Sequence, residues 1–290
     1  MDKLWIELKE PDVRIGRGAA FAILLIGATA AKADGIPTER RVVELSDFSG
    51  AYIGVNAGAA WGSSSYATSP GCVPPGVEGV FCEANSISSV NGLAVASTGT
   101  GDLTSSGFTG GIQGGYNWQF GRIVFGGEGD FGAFSLSKSA NRAGVFPSPF
   151  LGTTYALNES MSTDWLITLR GRVGYTVLPH LLLYGTAGVA LTDFRFSSSY
   201  ADNAIDPLQS LTGGTGSTSI SNVMTGWTIG GGGEWLLDSR WSIKAEYLYI
   251  DFRSASLPVA LSNSATYTQT MWVDADITAQ VARIGVNYRP

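Results

Sequence analysis

The sequence predicts an all-β fold: an up-and-down barrel of eight antiparallel strands that crosses a membrane. Three observations carry that prediction. Period-two alternation recurs in eight segments, each long enough to cross a bilayer as a tilted strand, which takes about 9–11 residues. The links between them alternate strictly between tight turns and long polar stretches. Charged residues make up only 14% of the 290-residue chain while aromatics reach 11%, too little charge for a large soluble surface. Beyond the N-terminal region no apolar run reaches the roughly 20 residues that a transmembrane helix needs, so strands must do the crossing.

The N-terminus reads as a targeting segment. Lys9, Arg14 and Arg17 flank the apolar run Ala19 to Ala30, and Ala31-Lys32-Ala33 follows as a small-x-small cleavage site. The stretch before Arg14 is long and acidic for such a flank. Residues 1–33 are therefore expected to be a signal peptide, residues 34–47 a periplasmic segment, and residues 48–290 the barrel. The first strand is Ser49 to Trp61, the second Gly107 to Gln119, the third Arg122 to Ser135 and the fourth Asp164 to Leu178. The fifth is Leu181 to Phe196, the sixth Val223 to Leu236, the seventh Arg240 to Phe252 and the eighth Asp276 to Tyr288. Phe120-Gly121, Pro179-His180 and Leu237-Asp238-Ser239 make the tight turns. Gly62 to Ser106, Leu136 to Thr163, Ser197 to Asn222 and Arg253 to Ala275 are read as long loops, rich in Ser, Thr, Gly, Asn and Pro. Short turns on one rim and long loops on the other describe a barrel of the Gram-negative outer membrane, with turns periplasmic and loops extracellular.

Alternation sorts each strand into two faces. Trp165, Ile167, Leu169, Val173, Tyr175 and Val177 share one face of the fourth strand; Asp164, Thr168, Arg170, Arg172 and Thr176 share the other. Trp241, Ile243, Ala245, Tyr247 and Tyr249 oppose Ser242, Lys244 and Glu246 in the seventh. Apolar faces meet lipid and polar faces the lumen, because a Lys or Arg aimed at mid-bilayer costs about 2–4 kcal/mol. The lumen then holds Glu128, Asp130, Glu234 and Glu246 against Arg170, Arg172, Lys244 and Arg283. Eight strands enclose a space just wide enough for side chains to fill, so a salt-bridged plug is favoured over a charged constriction lining a small pore.

Two cysteines, Cys72 and Cys82, lie close together in a chain bound for an oxidising compartment, which favours a disulfide over two free thiols. With a single histidine, His180, no zinc-type cluster can form and no metal is expected. Gly127 to Gly132 matches G-x-G-x-x-G literally, but it lies inside an alternating strand with no helix opening at it, so no dinucleotide or other cofactor is expected. His180 sits beside Pro179 in a periplasmic turn, on the wrong rim for an outer-membrane lipid-modifying enzyme, which acts from the lipid-facing or extracellular side; it reads as a solvated turn residue and no enzyme activity is expected. The net charge of −6, with no basic patch interleaved with aromatics, argues against nucleic acid as a partner.

Several segments are similar to the alphaproteobacterial outer-membrane immunogenic proteins, a branch of the opacity-type, OmpA-like barrels. They are Asp47 to Gly58 (DFSGAYIGVNAG), Phe108 to Trp118 (FTGGIQGGYNW), Val124 to Asp130 (VFGGEGD), Thr168 to Tyr175 (TLRGRVGY), Tyr184 to Ala190 (YGTAGVA), Trp227 to Glu234 (WTIGGGGE), Lys244 to Tyr249 (KAEYLY) and Arg283 to Tyr288 (RIGVNY). The resemblance covers nearly all of the mature chain apart from the long loops. It implies an eight-stranded barrel, surface-exposed antigenic loops and a structural or porin-like role. It also implies contact with outer-membrane lipid and lipopolysaccharide, with the barrel-assembly machinery, and with host or other surface ligands through the loops. Such barrels end in an aromatic residue; here Pro290 takes the last place, and Tyr288 keeps the alternation of Ala282, Ile284 and Val286.

Overall fold

In the computed structural model the alternating segments become hydrogen-bonded strands, described over residues 46–71, 90–147, 152–206, 211–263 and 267–290. They are β1 (Gly50–Gly71), β2 (Gly101–Phe120), β3 (Ile123–Val145), β4 (Thr154–Leu178), β5 (Leu181–Asp202), β6 (Thr215–Leu236), β7 (Trp241–Asn263) and β8 (Tyr267–Tyr288). A helix, α1 (Val90–Thr98), precedes β2, and a two-residue ribbon pairs Ile205–Asp206 with Leu211–Thr212 before β6. Each strand pairs antiparallel with its sequence neighbours, and β8 closes on β1, so the wall is a complete up-and-down barrel. The tight turns carry the residues that turns need. Gly121 takes a left-handed backbone, φ 61°. The Asp238 carboxylate accepts the backbone N–H groups of Arg240 and Trp241 at 2.7 and 2.8 Å, which holds its pKa below the usual range.

From the turns upward, the outer face is apolar over about 11 residues of each strand. In β1 the row runs Ala51, Ile53, Val55, Ala57, Ala59, Trp61; at a rise of about 3.3 Å and a tilt of about 40° it stands about 25 Å tall, the height of a bilayer's apolar band. Leu169 is 65% exposed and Ile284 67%, an arrangement that water would penalise and hydrocarbon rewards. Aromatic rings mark both borders. Trp118, Phe120, Phe125, Trp235 and Trp241 ring the turn end; Trp61, Phe108, Phe131 and Trp227 ring the other. No helix among the described residues is long and apolar enough to cross a membrane.

Above the upper ring the polarity inverts. In β7 the lumen-facing row changes from Lys244 and Glu246 to Leu248, Ile250 and Phe252. In β5 the outward row changes from Val189 and Leu191 to Arg195, Ser197 and Ser199, while Phe194 and Phe196 turn inward and are buried. Outside the bilayer the outer face meets water, so the burial rule of a soluble sheet applies. The ring also divides at this height. The β2–β3 ladder stops at Phe108↔Ser135, and the β6–β7 ladder lapses between Gly226↔Phe252 and Gly216↔Leu261. The other six ladders continue, for instance to Val145↔Thr154 and Gly71↔Thr270. Two four-stranded sheets result, β3-β4-β5-β6 and β7-β8-β1-β2. They share one apolar core, with Phe134, Leu157 and Phe194 from the first sheet, and Tyr66, Val273 and Ile277 from the second, joined by Val95 of α1. Register shifts between Ala133 and Leu136, Ser162 and Leu166, and Ala275 and Ile277 cluster at this transition, where bulges re-aim the strands.

This corrects the sequence reading of the four long links. Most of Gly62 to Ser106, Leu136 to Thr163, Ser197 to Asn222 and Arg253 to Ala275 that is described is strand. Those segments look like loops because small polar residues dominate them and their alternation runs in the opposite phase. Helix α1 packs against β1 and β3 in the section above the upper ring. Arg142 donates to the carbonyls of Thr98 and Thr100 at 3.0 and 2.7 Å, and Tyr155 donates to the carbonyl of Ala94 at 3.0 Å.

Candidate functional site

The eight lumen charges named above come from β3, β4, β6, β7 and β8, and they meet in one layer inside the membrane section. Alternation puts Glu128 and Asp130 on the inner row of β3, and pairing places Glu128 opposite Arg170 on β4. Arg170 is the hub: its guanidinium reaches Glu128 at 2.6 Å, Asp130 at 2.8 Å and Glu246 at 2.9 Å, and its Nε donates to Thr168. Arg283 bonds Asp130 and Glu246 from β8 at 2.9 and 2.8 Å. Lys244 reaches both oxygens of Glu128 at 2.7 Å. Arg172 bonds Glu234 at 2.7 Å and lies 4.1 Å from the Tyr184 ring centroid. All eight side chains are at most 4% exposed. Charges so buried carry a desolvation penalty of several kcal/mol each, and cross-strand pairing with multiple bonds per carboxylate is what offsets it.

Several participants lie outside the set of eight charges picked out from the sequence. Arg289 bonds Glu234 at 3.1 Å, which makes five cations against four carboxylates. Tyr52 donates to Glu128 at 2.7 Å, Tyr184 to Glu246 at 3.1 Å and Ser242 to Glu234 at 2.7 Å. The amides Asn56, Gln113 and Asn287 form a chain across β1, β2 and β8, with bonds of 3.0 and 2.6 Å. Each of these residues lies on the inner parity of its strand or of its continuation; Tyr52 falls inside the segment read as the first strand, and extending the eighth by one position reaches Arg289.

The layer is bounded on both sides. Toward the turns, Phe48 is fully buried with Val124, Leu182, Tyr184 and Leu236. Its N–H donates to Gln119, its carbonyl accepts from Asn117, and Arg289 stands over its ring at 5.3 Å. Ser46 ties this segment to the β4–β5 turn through Pro179 and through His180 Nδ1 at 2.7 Å. Away from the turns lies the apolar core of the divided section. A gap at the junction, among Phe134, Leu136, Met161, Phe194, Met224 and Phe252, holds only about 10 Å³.

The model of the outer membrane protein beta-barrel domain matches residues 19–289. The chain belongs to that family, and it is an outer-membrane protein of the Gram-negative type. The 31 kDa outer-membrane immunogenic protein of Brucella melitensis is 28% identical over 274 residues, 93% of this chain and 95% of that one. The 22 kDa outer membrane protein of Rhizobium leguminosarum bv. viciae is 32% identical over 153 residues, 53% of this chain and 56% of that one. Among solved structures, the outer membrane protein OprG from Pseudomonas aeruginosa is similar at 13% identity and a TM-score of 0.41, over 86% of this chain and 98% of that one. The Brucella and Rhizobium relatives agree with the alphaproteobacterial resemblance read from the strands.

Among the described residues no group of three or more His, Cys, Asp or Glu is arranged to hold a metal ion. Glu128 and Asp130, the paired carboxylates, are committed to Lys244, Arg170 and Arg283. Cys72 and Cys82, and the signal segment 1–33, lie outside the described residues.

Proposed function

We propose that this chain is a structural, surface-exposed barrel whose lumen does not conduct, and that its extracellular section makes its contacts with the outside. The observation that carries this reading is the Arg170-centred layer: an ion crossing it would have to separate at least three buried ion pairs. The Phe48 segment below it and the apolar core above it add two further barriers in series. The relatives named as immunogenic outer-membrane proteins support exposure of the extracellular section to antibodies. On this reading the apolar belt contacts lipid and lipopolysaccharide, and the alternating C-terminal strand is what the assembly machinery engages. The mature chain starts near Asp34, residues 34–47 lie in the periplasm, and Cys72 pairs with Cys82. A structural role needs no catalytic group.

The test is ion conductance of the folded chain, residues 34–290, in a planar bilayer, with heat-denatured protein as control. Silence from protein shown to be folded is the expected result. Steady, reproducible channels would overturn the reading in favour of a narrow porin, and the surplus cation in the layer makes anion preference the signature of such a pore.

A further inference from the structure

The wall divides at two seams, and the chain seals only one of them. At the β2–β3 seam, Ser105 and Ser137 exchange hydrogen bonds between the Ser105 hydroxyl and the Ser137 backbone at 2.9 and 3.1 Å, and Arg142 holds the end of α1 against the same side. At the β6–β7 seam, Ser217 to Thr225 and residues 253–260 lie between the last ladder pair below, Gly226↔Phe252, and the next one above, Gly216↔Leu261. No backbone hydrogen bond crosses this interval among the described residues. At the same height the β7–β8 ladder shifts register between Ala275 and Ile277, which leaves one extra residue in β7 just past Phe252, while β7 stays paired with β8. Nine consecutive residues of β6 thus keep their β5 partners and present their other backbone groups to a slit pinned at both ends.

The β6 lip lacks every feature that normally protects an edge strand. Its sequence, STSISNVMT, has no charge, no Pro and no bulge, and Val223 is 59% exposed. Behind it Ile220 and Met224 are only partly buried against the apolar core. The slit stands directly above the outer aromatic border, where Trp227 and Tyr249 pack at 5.6 Å, so it faces the extracellular side.

We propose that the β6 edge from Ser217 to Thr225 is a docking site for an extended peptide segment of another protein, added as a strand. The unpaired amides and carbonyls define the chemistry, because only another backbone satisfies them in series. The inner row adds selectivity: the peptide carries apolar side chains at alternate positions to cover Ile220 and Met224, and an uncharged centre to match the lip. This rests on the reading that the extracellular section makes the contacts, and it names the surface.

The test uses the folded full-length mature chain in lipid nanodiscs and a labelled peptide of alternating threonine and valine with a lysine at each end. Hydrogen exchange of the free protein should show fast amides in 217–225 beside slow ones in β4 at the same height. Added peptide should give saturable anisotropy and protection confined to 217–225. A staple across the slit, Ser221→Cys with Ser256→Cys joined by a short bis-maleimide, should weaken binding about ten-fold or more, whereas Ser256→Cys alone, on the opposite lip and capped with a monofunctional maleimide, should bind normally. Slow exchange of 217–225 without peptide, equal binding to the stapled protein, or protection elsewhere would each overturn the proposal. Conductance of the same preparation is read separately, so a failed docking site and a conducting lumen are distinguishable results.

Discussion

Replacing Arg170 by Met tests whether the ion-paired layer holds the barrel together. Arg170→Met keeps most of the volume and removes three charge-assisted bonds, to Glu128, Asp130 and Glu246. Bonds to charged groups contribute about 1.5–3 kcal/mol each, which sets an upper bound near 9 kcal/mol if all three were lost without compensation. The structure supplies compensation. Glu128 keeps Lys244 at 2.7 Å, and Asp130 and Glu246 keep Arg283 at 2.9 and 2.8 Å. No carboxylate is left without a cation, so the loss should stay below the roughly 3–5 kcal/mol that an uncompensated buried charge costs, at about 1–3 kcal/mol. The assay is urea unfolding in phospholipid vesicles, followed by tryptophan fluorescence and by gel mobility before and after heating. Glu246→Gln and the double variant complete a cycle, and a coupling of about 1–3 kcal/mol is expected for groups in direct contact. A loss under about 1 kcal/mol for Arg170→Met, or strict additivity in the cycle, would refute the view that these charges form one energetic unit.

Four further outcomes follow from the same contacts. Glu234→Gln removes the carboxylate shared by Arg172 and Arg289 and leaves five cations facing three acids; it should cost at least as much as Arg170→Met in the same unfolding assay, about 3–5 kcal/mol. Phe48→Ala should lower stability by about 3–5 kcal/mol through the cavity it leaves at the turn end, yet the protein should stay silent in planar bilayers, because the ion-paired layer is untouched. Gly58→Val should block assembly, seen as loss of the heat-modifiable band, since a Cβ there runs into the carbonyl of Ala282 on β8. Glu159, 1% exposed in the extracellular section, has its carboxyl pushed up by burial, with Tyr66 and Arg142 opposing only in part. The folded chain therefore holds this proton more tightly than the unfolded one, and stability is lost as pH rises from the unfolded value through the raised folded one; Glu159→Gln should stabilise at neutral pH, with the gain vanishing in acid unfolding measurements.

The membrane section was legible in the sequence because lipid imposes one rule on all eight strands. Leu169, Val173 and Tyr175 face out and Arg170 and Arg172 face in by parity alone, and the turn ends of the strands fall within a residue or two of their predicted positions. The same rule hid the extracellular section. A template of apolar outside and polar inside reads Arg195, Ser197 and Ser199 as the start of a loop, when they are the outer row of a strand whose inner row is Phe194, Phe196 and Tyr200. Nothing local marks the switch; what changes is the solvent outside the wall, and with it the face that must be apolar. The residues at the switch show why the ring also divides there. Below it, a lumen packed with ion pairs needs strands held at fixed spacing all the way round, because a missing ladder would leave a charge without its partner. Above it, apolar side chains can pack between two sheets without closure, as they do in a sandwich. The seam beside β6 is thus a product of the inversion in polarity: once the interior no longer depends on a closed ring, an edge can be left open toward the outside.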